Sequence, residues 1–227
     1  LYLYNFTGDE KSREEFLATV RQIEKKIDIP FYVGIYVARF EDAKKALYTG
    51  ASMVVMRKAL LPVDKELPEI TDRFSKDKLA LEVDMRADFM TAEQLDEYYE
   101  LGIGTAVLKH IDTTPSFSDT IAQTKMRVMV RDGLIRNDLA EILSYDTVSA
   151  VLTNYFEDKD IYKAKKALKK KNVDVEVFES LIDFSDFKLL DNGLISVVVQ
   201  DYRKNEVLMV AYMNEDSYKM TIDTGKM

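Results

Sequence analysis

The stretch from Leu79 to Lys109 is LALEVDMRADFMTAEQLDEYYELGIGTAVLK. It indicates the fold class because its pattern predicts a strand, a helix and a second strand. Leu79 to Asp84 and Thr105 to Lys109 are short and mostly apolar, which is typical of buried parallel strands. Thr91 is predicted to cap the helix between them, and Gly102 to follow its end. The stretch therefore predicts one β–α–β unit of an α/β protein.

The same alternation continues on both sides of this unit. Five further candidate strands are short and mostly apolar: Leu1 to Phe6, Phe31 to Val37, Met53 to Met56, Arg127 to Val130 and Val148 to Leu152. The first helix is predicted to start at an N-cap Ser12 and to carry the apolar stripe Phe16, Val20, Ile23 and Ile27.

Seven strands in a βα series are compatible with a (β/α)₈ TIM-type barrel or with an open doubly wound sheet. An ungapped shift lays Phe40–Leu47 on Arg136–Leu143, a repeat four strands apart that favours two half-barrels. A complete barrel needs roughly 250 residues. We therefore expect a barrel that is incomplete at its N-terminus, with one βα unit missing before Leu1.

Composition restricts the class of partner. The 227 residues include 32 basic and 40 acidic side chains, a net charge of -8. Nucleic acid is not expected as a partner because phosphate binding needs a basic face, and the basic run Lys163 to Lys171 is interpreted as a solvated helix face. Neither a membrane-spanning stretch nor a signal peptide is recognisable, so we expect a cytoplasmic protein without a membrane partner.

Residues 192–227, NGLISVVVQDYRKNEVLMVAYMNEDSYKMTIDTGKM, have a different pattern. Leu194 to Gln200 and Val207 to Tyr212 are apolar runs on either side of a polar turn, which predicts a β-hairpin. Asn214 is predicted to cap a following helix and Gly225 to follow its end. We interpret residues 1–179 as the barrel and 180–227 as the hairpin and first helix of a second, α+β domain.

This C-terminal segment resembles the opening of phosphoribosyl-AMP cyclohydrolase, a histidine-biosynthesis enzyme. The matches, in order, are Gly193-Leu194-Ile195, Val199-Gln200-Asp201, Glu206-Val207-Leu208-Met209, Ala211-Tyr212-Met213-Asn214-Glu215 and Thr224-Gly225. The resemblance implies hydrolytic opening of the adenine ring of phosphoribosyl-AMP, with a bound cation that acidifies the attacking water. It implies zinc and magnesium for a full-length enzyme, and a pyrophosphohydrolase further along a bifunctional chain.

The metal ligands of that family lie downstream of the matched segment. This chain has no Cys and one His, so we expect no metal or other cofactor within it. We therefore expect a fragment of a longer protein, and the lack of an initiating Met at Leu1 suggests the same.

Residues 1 to about 160 resemble the barrel of the histidine pathway, most of all the cyclase subunit of imidazole glycerol phosphate synthase and next the ribotide isomerase. The matching positions are Ile27 to Phe31, Val33-Gly34, Gly50-Ala51, Val54-Val55, Arg73-Phe74 and Lys78 to Asp84. The resemblance implies two substrate phosphates on glycine-rich loops, where backbone N–H groups approach an anion closely.

The chain departs from the family pattern at those loops. They read Gly34-Ile35-Tyr36 and Arg131-Asp132-Gly133, so Gly34 and Gly133 are interpreted as vestigial phosphate-binding residues. Asn5 replaces a family aspartate, and Thr113-Thr114-Pro115 replaces an RDG motif. Asp84 matches a catalytic aspartate at the C-terminal end of its strand, where barrel chemistry is placed. We expect a degenerate barrel, with Asp84 catalytic only if the barrel is active and otherwise a strand-end acceptor of backbone hydrogen bonds.

Other polar residues have two readings each. His110, followed by Asp112, is either an acid/base pair or a structural histidine at a strand end. Asp183, Asp186 and Asp191 fit no recognised ligand spacing and are interpreted as a solvated linker rather than a metal site.

Three functional hypotheses follow from these patterns. In the first, the full-length protein is a metal-dependent cyclohydrolase that acts on a phosphoribosyl nucleotide and carries a non-catalytic barrel. In the second, residues 1–179 are a scaffold or dimerisation module, and a homodimer through the hairpin at 194–212 would cover its unpaired edge. In the third, the barrel is a catalytically active cyclase of imidazole glycerol phosphate synthase.

Overall fold

The computed structural model describes residues 1–62, 65–111, 115–132, 138–153 and 160–226, with only the backbone of 115 and 116. The strands are Tyr2–Asn5 (β1), Tyr32–Ile35 (β2), Met53–Arg57 (β3), Leu79–Asp84 (β4), Thr105–Lys109 (β5), Arg127–Arg131 (β6), Val148–Leu152 (β7), Ile195–Gln200 (β8) and Val207–Met213 (β9). The helices are Glu10–Glu24 (α1), Phe40–Leu47 (α2), Leu67–Arg73 (α3), Ala92–Glu100 (α4), Pro115–Gln123 (α5), Leu139–Ile142 (α6), Ile161–Lys169 (α7) and Glu215–Thr224 (α8).

The chain divides into two compact units, Leu1–Tyr155 and Phe156–Met227. Helix α7, which the sequence suggested as the last helix of the barrel, therefore groups with the C-terminal unit. The domain boundary between residues 179 and 180 stays a prediction.

The N-terminal unit is an α/β structure built on one parallel sheet. Its strands β1 to β7 are hydrogen-bonded in sequential order, and every neighbouring pair is parallel. A doubly wound sheet reverses its strand order at a switch point. The sequential order across β1–β7 therefore excludes the doubly wound alternative for this sheet.

The sheet curls into a half-barrel, as contacts between distant strands show. The guanidinium of Arg131 on β6 lies 3.9 Å from the ring centroid of Tyr4 on β1. Five strand spacings in a flat sheet would separate these strands by roughly 24 Å. Side chains on the concave face thus meet one another across the curl.

Each face of the sheet has its own apolar core, because strand side chains alternate in direction. On the convex face, residues such as Leu81 and Leu108 pack with helical residues such as Leu17 and Leu95. Among the described residues, the buried apolar side chains of the concave face come from strands: Met53, Val55, Ala80, Val107 and Met129. This separation leaves the concave face to the strands and their polar side chains.

The start of α1 differs from the predicted N-cap at Ser12. Asp9 is the N-cap, and its carboxylate accepts a hydrogen bond from the backbone N–H of Ser12. The earlier start adds Glu10, Lys11 and Ser12 to the helix. In the same part of the helix, the guanidinium of buried Arg13 lies 3.1 Å from the carboxylate of buried Asp42. The sequence pattern missed this pair because a charged residue is not expected on a buried face unless its partner is known.

The C-terminal unit contains the predicted hairpin and helix. Strands β8 and β9 pair antiparallel, with a register shift between Val199 and Gln200. Asn214 caps α8 by accepting from the backbone N–H of Ser217, and Gly225 follows with a φ of +64°. Among the described residues, no helix is long and apolar enough to cross a bilayer.

Candidate functional site

The carboxyl ends of β4, β5 and β6 place three charged side chains in one row on the concave face. Asp84 is the register partner of Lys109, and Lys109 is the partner of Arg131. Neighbouring strands lie roughly 5 Å apart. We call this row the rim; the carboxyl ends of barrel strands are where the chemistry of such folds is placed.

A buried carboxylate lies one step deeper on the same face. Glu82 is 1% exposed, and its Oε1 lies 3.1 Å from Arg57 Nη2, while its Oε2 lies 2.5 Å from Arg131 Nη1. Its Oε2 also accepts a 3.1 Å hydrogen bond from the hydroxyl of Tyr2. Burial, and next the negative charge of Glu82, raise the pKa of Tyr2 well above its usual value, so the phenol remains a donor.

Aromatic rings of β1 and of Phe6, the residue after it, cover the two arginines of this cluster. The guanidinium of Arg57 lies 4.0 Å from the ring centroid of Phe6, and that of Arg131 lies 3.9 Å from Tyr4. Such cation–π contacts favour a guanidinium over a ring face. Each guanidinium therefore contacts both an aromatic ring and the carboxylate of Glu82.

Asp84 lies at the rim and is about one-third exposed. Its Oδ1 lies 2.9 Å from Nδ1 of His110 and accepts from the backbone N–H of Arg86 and Ala87, at 3.2 and 3.4 Å. Its Oδ2 lies 3.6 Å from Nζ of Lys109. Burial raises the pKa of Asp84, but the His110 contact and the two backbone donors outweigh it and lower the pKa to about 2.

His110 follows β5 directly and has a φ of +51°, in the left-handed region that a side chain makes unfavourable. Its imidazole is 37% exposed. Strained backbone of this kind persists where the surroundings enforce it, and functional sites are a common place for it. In this left-handed conformation His110 makes its hydrogen bond to Asp84.

Gly34, predicted as a vestigial phosphate-binding residue, faces aromatic side chains of β1. A Cβ at this position would lie 2.5 Å from the hydroxyl oxygen of Tyr2, 2.8 Å from Cζ of Phe6 and 2.9 Å from Cβ of Tyr4. The missing side chain of Gly34 is therefore what lets these residues pack. A phosphate-binding role for Gly34 stays a prediction, and Gly133 lies outside the described residues.

Asn5, which replaces a family aspartate, has structural partners in the loop before α1. Asn5 holds the turn before α1, since its Nδ2 donates to Oγ of Ser12 at 3.1 Å and its Oδ1 accepts from the hydroxyl of Thr7 at 2.9 Å. Thr113 and Thr114, which replace the RDG motif, lie outside the described residues. The polar role of Asn5 is therefore one within its own loop.

His110 contacts a carboxylate that the sequence did not suggest as its partner, and its suggested pairing with Asp112 stays a prediction. Asp112, suggested as its partner, lies outside the described residues, while Asp84 lies 2.9 Å away. The sequence placed Asp84 and His110 at the carboxyl ends of two successive strands, and that position could have indicated their contact. Glu82 was missed, although a carboxylate inside an apolar strand needs buried partners.

Two of the acidic residues that were interpreted as a solvated linker pair with each other at a short turn. Asp183 is the N-cap of the 3₁₀ turn Phe184–Asp186, and its backbone N–H donates to Oδ2 of Asp186 at 3.0 Å. In the described part of the chain, no three His, Cys, Asp or Glu side chains are grouped so that they could hold a metal ion. The described residues therefore do not fit the zinc that the cyclohydrolase resemblance implies.

Comparison with known proteins gives one family match and several short matches to curated enzymes. A family model described as "Histidine biosynthesis protein" matches residues 1–114. The histidine biosynthesis bifunctional protein HisIE of Caldanaerobacter subterraneus is 48% identical over 46 residues, which are 20% of this chain and 22% of that protein. Phosphoribosyl-AMP cyclohydrolase of Syntrophotalea carbinolica is 49% identical over 41 residues, 18% of this chain and 32% of that enzyme. The chain thus spans less than a third of the length of either relative.

Among solved structures, a putative phosphonomutase from Burkholderia cenocepacia matches with a TM-score of 0.52 at 16% identity, covering 72% of this chain and 78% of that one. At this identity the similarity concerns the fold alone. The family model is independent of that match and covers half of the sequence, including the strand that carries Glu82 and Asp84. On this evidence the chain belongs to the histidine biosynthesis protein family.

Proposed function

We propose that the C-terminal unit is the start of a phosphoribosyl-AMP cyclohydrolase, and that the whole protein opens the purine ring of phosphoribosyl-AMP by hydrolysis in histidine biosynthesis. The N-terminal half-barrel, the greater part of an incomplete (β/α)₈ barrel, is accessory to that reaction. The observation that carries this proposal is the short, 45–54% identical match to cyclohydrolases and bifunctional relatives.

The hairpin supports the proposal because its apolar side chains are exposed on both faces, as expected for two strands of a larger sheet. On β9 both faces are apolar and open: Val207 and Met209 on one face, Leu208 and Val210 on the other, are each more than half exposed. A two-stranded hairpin is marginal in water, and three or more strands with a covered face are needed for stability. We infer that further strands of an α+β domain cover this hairpin.

A second copy of the chain is the alternative cover for the hairpin. A homodimer through β8 and β9 would pair the exposed strand edges. Solution scattering at rising concentration tests this alternative, because a particle that stays monomeric leaves the hairpin to strands of its own polypeptide.

The proposed hydrolysis uses no side chain of the described residues as a catalytic group. Zinc and magnesium are the implied cofactors of the cyclohydrolase, yet the chain has no Cys and a single His. In the proposed enzyme the hairpin and α8 have a structural role. Asn214 and Gly225 fix the two ends of α8. The substrate is a phosphoribosyl nucleotide, in line with the names of the relatives.

The test is hydrolysis of phosphoribosyl-AMP, with zinc and magnesium supplied, by the natural full-length polypeptide that carries this chain. Two deletions are compared with it, one of residues 1–155 and one of residues 1–179. The first keeps α7, whose Lys166 contacts Asp223 at the end of α8 at 2.9 Å, and the second removes it. We expect full activity after the shorter deletion and reduced stability after the longer one.

Two results would count against the proposal. Absence of hydrolysis in all three proteins refutes the cyclohydrolase assignment. Hydrolysis that requires residues 1–155 refutes the accessory role of the half-barrel and favours a barrel that takes part in the chemistry.

A further inference from the structure

We propose that Asp84 and His110 form a proton-transfer pair at the rim of the half-barrel, with Nε2 of His110 as the general base and Asp84 as the residue that positions it. The substrate class is a small anionic compound with a hydroxyl, or a C–H next to a carbonyl, whose proton is removed. This site lies in the N-terminal unit and is independent of the hydrolysis proposed for the C-terminal unit.

The hydrogen bond fixes which nitrogen of His110 is free. An ionised carboxylate accepts hydrogen bonds only, so the 2.9 Å contact between Asp84 Oδ1 and His110 Nδ1 requires a proton on Nδ1. Neutral imidazole then carries its lone pair on Nε2. Because the pKa of Asp84 is lowered to about 2, the carboxylate stays ionised at neutral pH.

The pair is held rigidly by backbone contacts. Asp84 Oδ1 also accepts from the N–H groups of Arg86 and Ala87, which keeps the carboxylate in one orientation. The N–H of Met85 donates to the carbonyl of Lys109 at 3.0 Å and ties the ends of β4 and β5 together. A base on such a support keeps its geometry during proton transfer.

The neighbouring cations indicate the charge of the substrate. Lys109 lies between Asp84 and Arg131 in the register of the rim, and its ammonium is 3.6 Å from Asp84 Oδ2. Arg131 is held by Glu82 and by the ring of Tyr4, so it need not move to meet a ligand. Two positively charged side chains on neighbouring strands of the rim favour an anionic substrate over a neutral or cationic one.

The reaction step is balanced without any co-reactant. The O–H or C–H bond of the substrate breaks, its proton forms an N–H bond at Nε2, and the electron pair remains on the substrate as an alkoxide or enolate. Asp84 stabilises the imidazolium, and Lys109 lies where it can stabilise the new negative charge. Return of the proton to the product or to water restores neutral His110.

The first experiment reads the tautomer of His110 directly. The chain has one His, so a long-range ¹H–¹⁵N spectrum of residues 1–227 at alkaline pH contains one imidazole. We expect the Nδ1–H tautomer in the wild type and the Nε2–H tautomer, the usual one for a free imidazole, in Asp84→Asn. An Nε2–H tautomer in the wild type, or an unchanged spectrum in the variant, overturns the proposal.

The second experiment measures proton abstraction with 5-nitrobenzisoxazole, a probe whose ring opening starts with loss of a carbon-bound proton. His110→Asn, which tolerates the left-handed backbone, is expected to lose the rate by about tenfold or more, since a positioned base contributes 10²- to 10⁴-fold. The control Glu100→Gln removes an exposed ion pair with Lys125 at the C-terminal end of α4 and should leave the rate unchanged. A His110→Asn protein that keeps its far-UV spectrum and its rate refutes the base assignment.

Discussion

Replacing Glu82 by Ala is expected to destabilise the half-barrel by about 4 kcal/mol. Glu82 is 1% exposed and its carboxylate binds two guanidiniums and one phenol. Breaking a buried ion pair by removing one partner costs roughly 3–5 kcal/mol, because the other charge is left uncompensated. Arg131 is 15% exposed and Arg57 one-third exposed, so most of the penalty falls on Arg131.

The assay is urea unfolding of residues 1–227 followed by tyrosine fluorescence, with thermal unfolding as a second readout. A loss of about 4 kcal/mol corresponds to a fall in the melting temperature of roughly 8–16 °C for a chain of this size. The matched control is Glu100→Ala, which breaks an exposed pair and should not shift the transition measurably. A loss below about 1 kcal/mol for Glu82→Ala would refute the reasoning.

A compensated variant separates charge from shape. When Glu82→Leu is combined with Arg57→Met and Arg131→Met, no uncompensated charge remains on the concave face. Apolar replacement of a whole buried ion cluster is often neutral or stabilising. We therefore expect the triple variant to recover stability to within about 1 kcal/mol of the wild type, far above Glu82→Ala.

Two further predictions concern Asp84 and Gly34. The folded pKa of Asp84 is lowered from 3.8 to about 2, so its contribution to stability is present above pH 4 and is lost as the pH falls from 4 to 2. At about 1.4 kcal/mol per pKa unit, discounted for the one-third exposure, it amounts to about 1 kcal/mol. In acid unfolding Asp84→Asn should flatten the pH dependence in that window, and an unchanged slope would contradict the pKa. Gly34→Ala should cost about 1–3 kcal/mol in urea unfolding because its Cβ would lie 2.5 Å from the Tyr2 hydroxyl, whereas Gly8→Ala, with open space around it, is the control.

The parallel sheet could be predicted from sequence because its strands are short apolar runs between recognisable helices. Leu79–Asp84 and Thr105–Lys109 have the predicted bounds, and the Thr91 cap is confirmed. The N-cap of α1 was wrong by three residues, since Asp9 and Ser12 are both good capping residues and only geometry selects between them. The local sequence therefore predicted which helices and strands form better than it predicted the residues at which they begin.

The candidate site, which includes the rim and the Glu82 cluster beneath it, was only partly predictable, for a different physical reason. The contact between Tyr2 and Glu82 joins residues 80 positions apart, and it depends on how far the sheet curls. Periodicity gives the face on which a side chain lies but not the curvature that brings two strands together. Asp84 was identified through its position at a strand end, whereas its partner His110 required the register of β4 and β5.

The alternation of β4 explains how one face supports both stability and chemistry. Glu82 and Asp84 lie on the same face, two residues apart, which is roughly 6.6 Å along the strand. At the inner position the carboxylate is 1% exposed and fully engaged by cations, so it can serve only the packing of the half-barrel. At the outer position the carboxylate is one-third exposed and directs an accessible imidazole. Because Arg131 contacts the inner carboxylate and is next to Lys109 in the rim, loss of Glu82 should loosen the cations of the rim as well. The Asp84–His110 pair thus depends on the ion cluster beneath it, and the proton-transfer rate of a Glu82 variant should fall even where the pair itself is intact.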